Sequence, residues 1–105
     1  MTLKFSEIAD RILIDGIKGK YIHTDNNTVG LVSIEKGAVL PAHSHFHEQI
    51  TQIISGKLQM TIGGVTQVLE SDSITIIPSN TTHSAFALTD CVVIDTFYPV
   101  REDYK

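Results

Sequence analysis

The chain contains a single cysteine, Cys91, and no Cys-x-x-Cys pair, so no disulfide framework can form within it. Cys91 precedes the apolar run Val92-Val93-Ile94, which suits a buried thiol better than a nucleophile. Nothing here calls for an oxidising compartment. No stretch reaches the ~18 apolar residues of a membrane helix. Residues 1–20 carry Lys4, Glu7, Asp10, Arg11 and Asp15, which breaks up any signal-peptide core; the expectation is a cytoplasmic protein with no membrane partner. There is also no basic run. Eight Lys and Arg stand against twelve Asp and Glu, for a formal net charge of -4, so nucleic acid is excluded as a natural partner and an anionic ligand would need local positive charge. A phosphate-cradling glycine loop is absent, as is any Ser or Cys nucleophile with an evident base. With no linker or low-complexity tract, the 105 residues are expected to form one domain, 1–105.

Helical periodicity is equally scarce. Phe5-Ser-Glu-Ile-Ala allows one helical turn with Ser6 as a possible cap, and no helical period follows residue 10. The rest reads as short strands: Arg11–Ile14, Ile17–His23, Val29–Ile34, Ile50–Ile54, Leu58–Ile62, Val65–Leu69 and Ile74–Ile77. Asp25-Asn-Asn27, Glu35-Lys-Gly37, Ser55-Gly56 and Gly63-Gly64 punctuate them, the last two as expected tight hairpins. Many short strands with regular turns predict an all-β sandwich or barrel. Leu58, Met60 and Ile62 alternate with polar residues, as for strands with one buried face. In Ile50–Ile54 and Ile74–Ile77 apolar residues fall on both faces, so part of the exterior needs a cover, either a second copy in a homodimer or the N-terminal strands.

Three of the five histidines lie between Gly37 and Gly56. In an extended strand, alternate residues share a face, which places His43 and His45 about 7 Å apart and able to converge on one first-row metal ion. Gln49 keeps the same parity and can return its carboxamide oxygen to that face. A fourth ligand is expected from His83, which follows the turn Pro78-Ser-Asn80-Thr-Thr at the end of Ile74–Ile77. His23 has no neighbour of its kind and reads as a solvated strand histidine.

This spacing resembles the first motif of the cupin family: a glycine, His-x-His, a usually acidic ligand and a closing glycine, filled here by Gly37, His43, His45, Gln49 and Gly56. The second cupin motif resembles residues 72–83, with Pro78 and His83 in place, Asn80 where glycine is usual and Asp72-Ser73 where Gly-Asp is usual. Asn tolerates positive φ, so Asn80 can serve as the glycine does; Asp72 is a less comfortable substitute. The resemblance implies the cupin double-stranded β-helix, a small jelly-roll barrel. It also implies one divalent transition metal held by His43, His45, Gln49 and His83. Imidazole and amide donors accept nickel, zinc, manganese, iron or cobalt alike. Gln49 in the acidic slot removes a negative charge and leaves the cation strongly electrophilic. His47 occupies a slot that is not a ligand position and is expected at the pocket rim.

Residues 94–104 add an acid, an aromatic and an arginine to the end of an apolar strand. From the residues alone, Asp95 and Phe97 share a face that looks either into the barrel or out to solvent. The ending Asp-x-Phe-x-Pro-x-Arg-Glu-Asp, together with His-Ser-His-x-His-Glu-Gln, is similar to the small KdgF-type cupins of pectin and alginate breakdown, which linearise cyclic 4,5-unsaturated uronates to keto forms. That likeness implies an anionic sugar as the small-molecule substrate and a catalytic set of Asp95, Phe97 and Arg101, with Asp95 moving a proton and Arg101 clamping a carboxylate. The alternatives are a non-catalytic small-molecule sensor cupin and, behind it, an iron-dependent dioxygenase, disfavoured because three His and a Gln lack the carboxylate of the oxygenase triad.

Overall fold

The structure, a computed structural model, describes residues 1–105. A three-residue 3-10 turn, Phe5–Glu7, opens the chain; Lys4 rather than Ser6 takes its cap position, with the Lys4 N–H donating to Glu7 Oε1 at 3.2 Å. Ten strands follow: β1 Arg11–Ile14, β2 Ile17–His23, β3 Thr28–Ile34, β4 Val39–His43, β5 Glu48–Ser55, β6 Leu58–Ile62, β7 Val65–Leu69, β8 Ile74–Ile77, β9 His83–Ala87 and β10 Cys91–Tyr98. They form a six-stranded sheet in the order β1-β2-β3-β10-β5-β8 and a four-stranded sheet in the order β4-β9-β6-β7, and every pairing is antiparallel. The two sheets face each other as the walls of a jelly-roll barrel. No helix is long and apolar enough to cross a membrane.

Alternation along the strands builds the core. Val32 and Ile34 of β3, Ile53 of β5, Ile77 of β8 and Val93 of β10 point inward from the large sheet; Leu58 and Met60 of β6 and Ala85 and Ala87 of β9 meet them from the small one. Burying each large aliphatic side chain contributes about 1.5–3 kcal/mol. Cys91 sits in the same cluster as a free, buried thiol. Ile17, Val32, Ile34 and Ala85 of this core also form the apolar wall of a cavity whose other side is polar.

Turn chemistry sets the corners. Ile62 pairs with Val65 across Gly63-Gly64, both at positive φ, the conformation that a two-residue hairpin requires. The Ser55-Gly56 step is not a hairpin. β5 belongs to the large sheet and β6 to the small one, so Gly56 turns a barrel corner, at φ 88° and with its backbone pressed so closely on Asp90 and Cys91 that any Cβ would collide. Asp72 and Asn80 both adopt the left-handed conformation that glycine would otherwise fill, at φ 79° and 62°.

The outer face of the large sheet carries Ile74 and Ile76, 64% and 62% exposed, with Ile54 nearby on β5. The N-terminal strands do not cover it. β1 and β2 extend the sheet at the edge opposite β8, where they lengthen the wall instead of layering over it.

Candidate functional site

β4 and β9 bring the first histidines together. His43 ends β4 and pairs in register with His83, the first residue of β9. His45 lies beyond the end of β4, in the irregular segment before β5, so the shared strand face expected for His43 and His45 is not what unites them. Their convergence comes instead from backbone carbonyls. Each Nδ1 is tied to a main-chain oxygen: His43 to Pro41 at 2.9 Å, His45 to His47 at 2.9 Å and His83 to Thr81 at 2.8 Å. An Nδ1–H that donates to a carbonyl leaves Nε2 as the lone-pair nitrogen, the tautomer and orientation typical of metal-binding histidine. One ligand atom from each ring lies within 4.8 Å of the others, and the buried Nε2 of His83 has no partner.

Gln49 brings an amide oxygen to the same cavity. Its Nε2 donates to Thr51 Oγ1 at 2.9 Å, and Thr51 in turn donates to Asp95 Oδ1 at 2.7 Å. This relay fixes the amide orientation and turns Gln49 Oε1 toward His45 Nε2, 3.1 Å away. With the His45 proton on Nδ1, two acceptors then face each other across a gap that lacks a hydrogen. Protonating His45 would supply one, but burial first and Arg101 second lower its pKa to about 4. A cation satisfies both lone pairs. The residues present therefore fit a metal ion of the kind that imidazole and amide donors hold.

Asp95 faces inward, into the cavity lined by His43, His45, Gln49, Phe97, Arg101, Tyr21 and Tyr104. Burial raises its pKa to about 6, against hydrogen bonds from Thr51 and Gln49 and the charge of Arg101, which pull it back. Phe97, also inward and 3% exposed, sets its ring edge-on to His45 at 5.8 Å. Arg101 is buried beside them, its guanidinium 4.7 Å over the Phe97 ring and 4.0 Å over the Tyr104 ring. The Arg101 N–H donates to Thr28 Oγ1 at 2.8 Å, and Thr28 is tied at 2.8 Å to Nδ1 of His23. His23 is therefore half-buried and engaged, not a solvated strand histidine. His47 is not at the rim either: only 6% exposed, it packs under Phe46 at 4.1 Å and beside His45 at 5.4 Å, outside the cavity lining.

Three participants lie outside the sequence reading: Thr51, Tyr21 and Tyr104. Tyr21, Gly30, Asp95 and Thr51 are consecutive partners across β2, β3, β10 and β5, one row of the ladder. Gly30 has no side chain, and the Tyr21 ring lies in the space a Cβ would fill, with Gly19 clearing room for its hydroxyl end. Glycines inside two β-rich runs were the available signal, since an interior strand glycine often marks a close approach.

Residues 30–97 match the Cupin domain family model. The pectin degradation protein KdgF of Dickeya dadantii is 33% identical over 93 residues, 86% of this chain and 84% of that protein. Among solved structures, KdgF from a Halomonas species superposes with a TM-score of 0.89 at 31% identity, covering 95% of this chain and 94% of that one. An RmlC-like cupin from Shewanella frigidimarina gives a TM-score of 0.90 at 26% identity, over 95% and 91%. With its jelly-roll sheets and its cluster of inward histidines, the chain belongs to the cupin family.

Proposed function

We propose that this cupin is a single-domain, metal-dependent enzyme that converts 4,5-unsaturated uronates to their linear keto forms, with the metal held by His43, His45, Gln49 and His83. The observation that carries this reading is the make-up of one cavity: converging imidazole and amide donors, an inward carboxyl poised near neutrality and an arginine on the same lining. Likeness to proteins named KdgF, one of them described as a pectin degradation protein, supports the substrate class.

A divalent cation at the four donors supplies Lewis acidity to a sugar oxygen. The chain's own residues do the rest. Arg101 pairs with the uronate carboxylate and fixes the ring against the Phe97 face, which also keeps water away. Asp95 takes the proton of the anomeric hydroxyl as the bond from C1 to the ring oxygen breaks, leaving an aldehyde at C1 and an enolate over C4 and C5. It then returns a proton to C4, which gives the ketone at C5. One proton leaves and one arrives, so the reaction is an isomerisation without a redox partner. A carboxyl with a pKa of about 6 can both accept and return a proton near neutral pH. The exposed isoleucines on β5 and β8 support a homodimer through the outer face of the large sheet.

The test is the ultraviolet absorbance of an unsaturated galacturonate followed with protein loaded in turn with nickel, manganese, zinc, iron or cobalt. Accelerated decay with at least one metal is expected. Decay at the uncatalysed rate with all five, alongside measurable binding, would leave a sensor cupin. Elemental analysis of wild type beside a His45→Ala, His83→Ala double variant tests the ligand set, and equal metal content in the two would sink it.

A further inference from the structure

The cavity beside the histidines holds about 60 Å³, enough for a few waters and far below the several hundred Å³ usual for a ligand site. A sugar enters only if part of the wall moves. Most of that wall is ladder-bonded strand. The exceptions are His45, in the segment between β4 and β5, and the chain's last residues, where Arg101 and the Tyr104 of the 3-10 turn Glu102–Tyr104 line the cavity. Tyr104 packs on Tyr21 at 4.8 Å and on Phe97 at 5.9 Å. Its neighbour Asp103 takes the fork of Arg101: Nε donates to Oδ1 at 2.9 Å and Nη2 to Oδ2 at 2.8 Å. Arg11 of β1 clips the same segment from outside, donating to the carbonyl oxygen of Asp103 at 2.9 Å.

We propose that Glu102–Tyr104 is a latch in which the Asp103 carboxylate occupies the Arg101 fork that a ligand carboxylate takes on binding, so that Asp103 keeps the cavity closed until an acidic ligand takes its place. This rests on the reading of Arg101 as the carboxylate-binding residue. Two observations favour exchange over a purely supporting role for Asp103. Arg101 is anchored without it, through its own N–H on buried Thr28 and its stack on buried Phe97. Asp103, in contrast, is 58% exposed, so water takes up its carboxylate when it leaves the fork. An incoming carboxylate restores both hydrogen bonds in the same bidentate geometry. A neutral sugar restores neither, and must break the pair without replacement. Opening also uncovers the Tyr21 hydroxyl, which is buried with no hydrogen-bond partner and gains one from a sugar oxygen.

The experiment is titration calorimetry of full-length wild type and Asp103→Asn with galacturonate, a saturated acid that cannot react, and with galactose as the neutral control. Asp103→Asn is expected to bind galacturonate more tightly, by up to about fivefold given that one partner of the pair is solvated, and to gain for galactose as well, since either sugar must displace the same pair. Weaker or equal binding of galacturonate by the variant would mean that Asp103 supports Arg101, and would overturn the exchange; so would failure of both proteins to bind it. The Tyr104 ring resonances give a ligand-free readout. They should move toward solvent-exposed positions in Asp103→Asn, and unchanged resonances would overturn the latch. Neither readout needs turnover, so a failed enzyme assay and a failed latch are told apart.

Discussion

Asp95→Asn should make the metal-free protein more stable while disabling it. The carboxyl sits at about 6 in the folded protein against 3.8 for an ordinary aspartate, a difference of roughly two pH units. At about 1.4 kcal/mol per pH unit this sets an upper bound of ~3 kcal/mol. Asp95 keeps some exposure toward the cavity, so about 2 kcal/mol is the working figure. The sign follows from proton counting. Between about pH 4 and 6 the folded protein holds a proton that the unfolded chain has already released, so stability falls as pH rises through that window, and the full penalty is present above about 6. Asparagine never ionises and can still accept the Thr51 hydrogen bond. In chelator-treated protein at pH 7.5, Asp95→Asn should therefore raise Tm by roughly 10 °C, using about 4–8 °C per kcal/mol for a domain of this size. The gain should vanish by pH 4, where both proteins are neutral at this position. Turnover of an unsaturated uronate by the metal-loaded variant should fall by about a hundredfold or more with metal content unchanged. An equal gain in Tm at pH 4 and 7.5, or no gain at either, would refute the claim that Asp95 is a destabilised internal carboxylate.

Arg101→Ala removes a charge-assisted pair, worth about 1.5–3 kcal/mol, so KM for the uronate should rise by about tenfold or more with a smaller loss of kcat; a change confined to kcat would contradict the clamp. Gly30→Ala drives a Cβ into Cε1 and Cδ1 of the Tyr21 ring and should cost about 1–3 kcal/mol in urea unfolding. In a Tyr21→Ala background the same change should be nearly silent, and equal costs in both backgrounds would show that the ring is not what excludes the methyl group. Light scattering at micromolar concentration should give twice the chain mass, and charging the outer face with Ile74→Lys, Ile76→Lys should return the protein to a monomer; an unchanged mass would place the contact elsewhere.

Much of the architecture was legible because it rests on local chemistry. Period-two alternation marked Leu58–Ile62, and Gly63-Gly64 marked its hairpin, since both signals act within a few residues. Gly56 was misread for the same reason: a glycine announces positive φ without saying whether the next strand returns to its own sheet or crosses to the other. Three of the site's features followed a similar rule. The histidines, Gln49 and the inward face of Asp95 could be expected from spacing, parity and family likeness, but the means of convergence could not. The tautomers depend on carbonyls of Pro41, His47 and Thr81, and the Gln49 orientation depends on a Thr51 proton given to a strand more than forty residues away.

What stayed hidden is what register decides. Tyr21 and Asp95 share a ladder row only because β2 pairs with β3 and β3 with β10 at one particular alignment; a slip of one residue would turn Tyr21 away from the cavity. Gly30 makes that alignment productive, since any side chain there would fill the space the tyrosine ring occupies. The same limit applies to the tail. Asp103 stands two residues from Arg101, a spacing that says nothing by itself, and its hold on the guanidinium exists because a 3-10 turn folds the chain back over Phe97. Arginine and aspartate side by side in a terminal segment would ordinarily be a solvated pair of little consequence. Here one of them is buried in the cavity wall while the other remains in water. On the proposed latch, that asymmetry is what makes the surface partner replaceable and the buried one available to an acidic ligand.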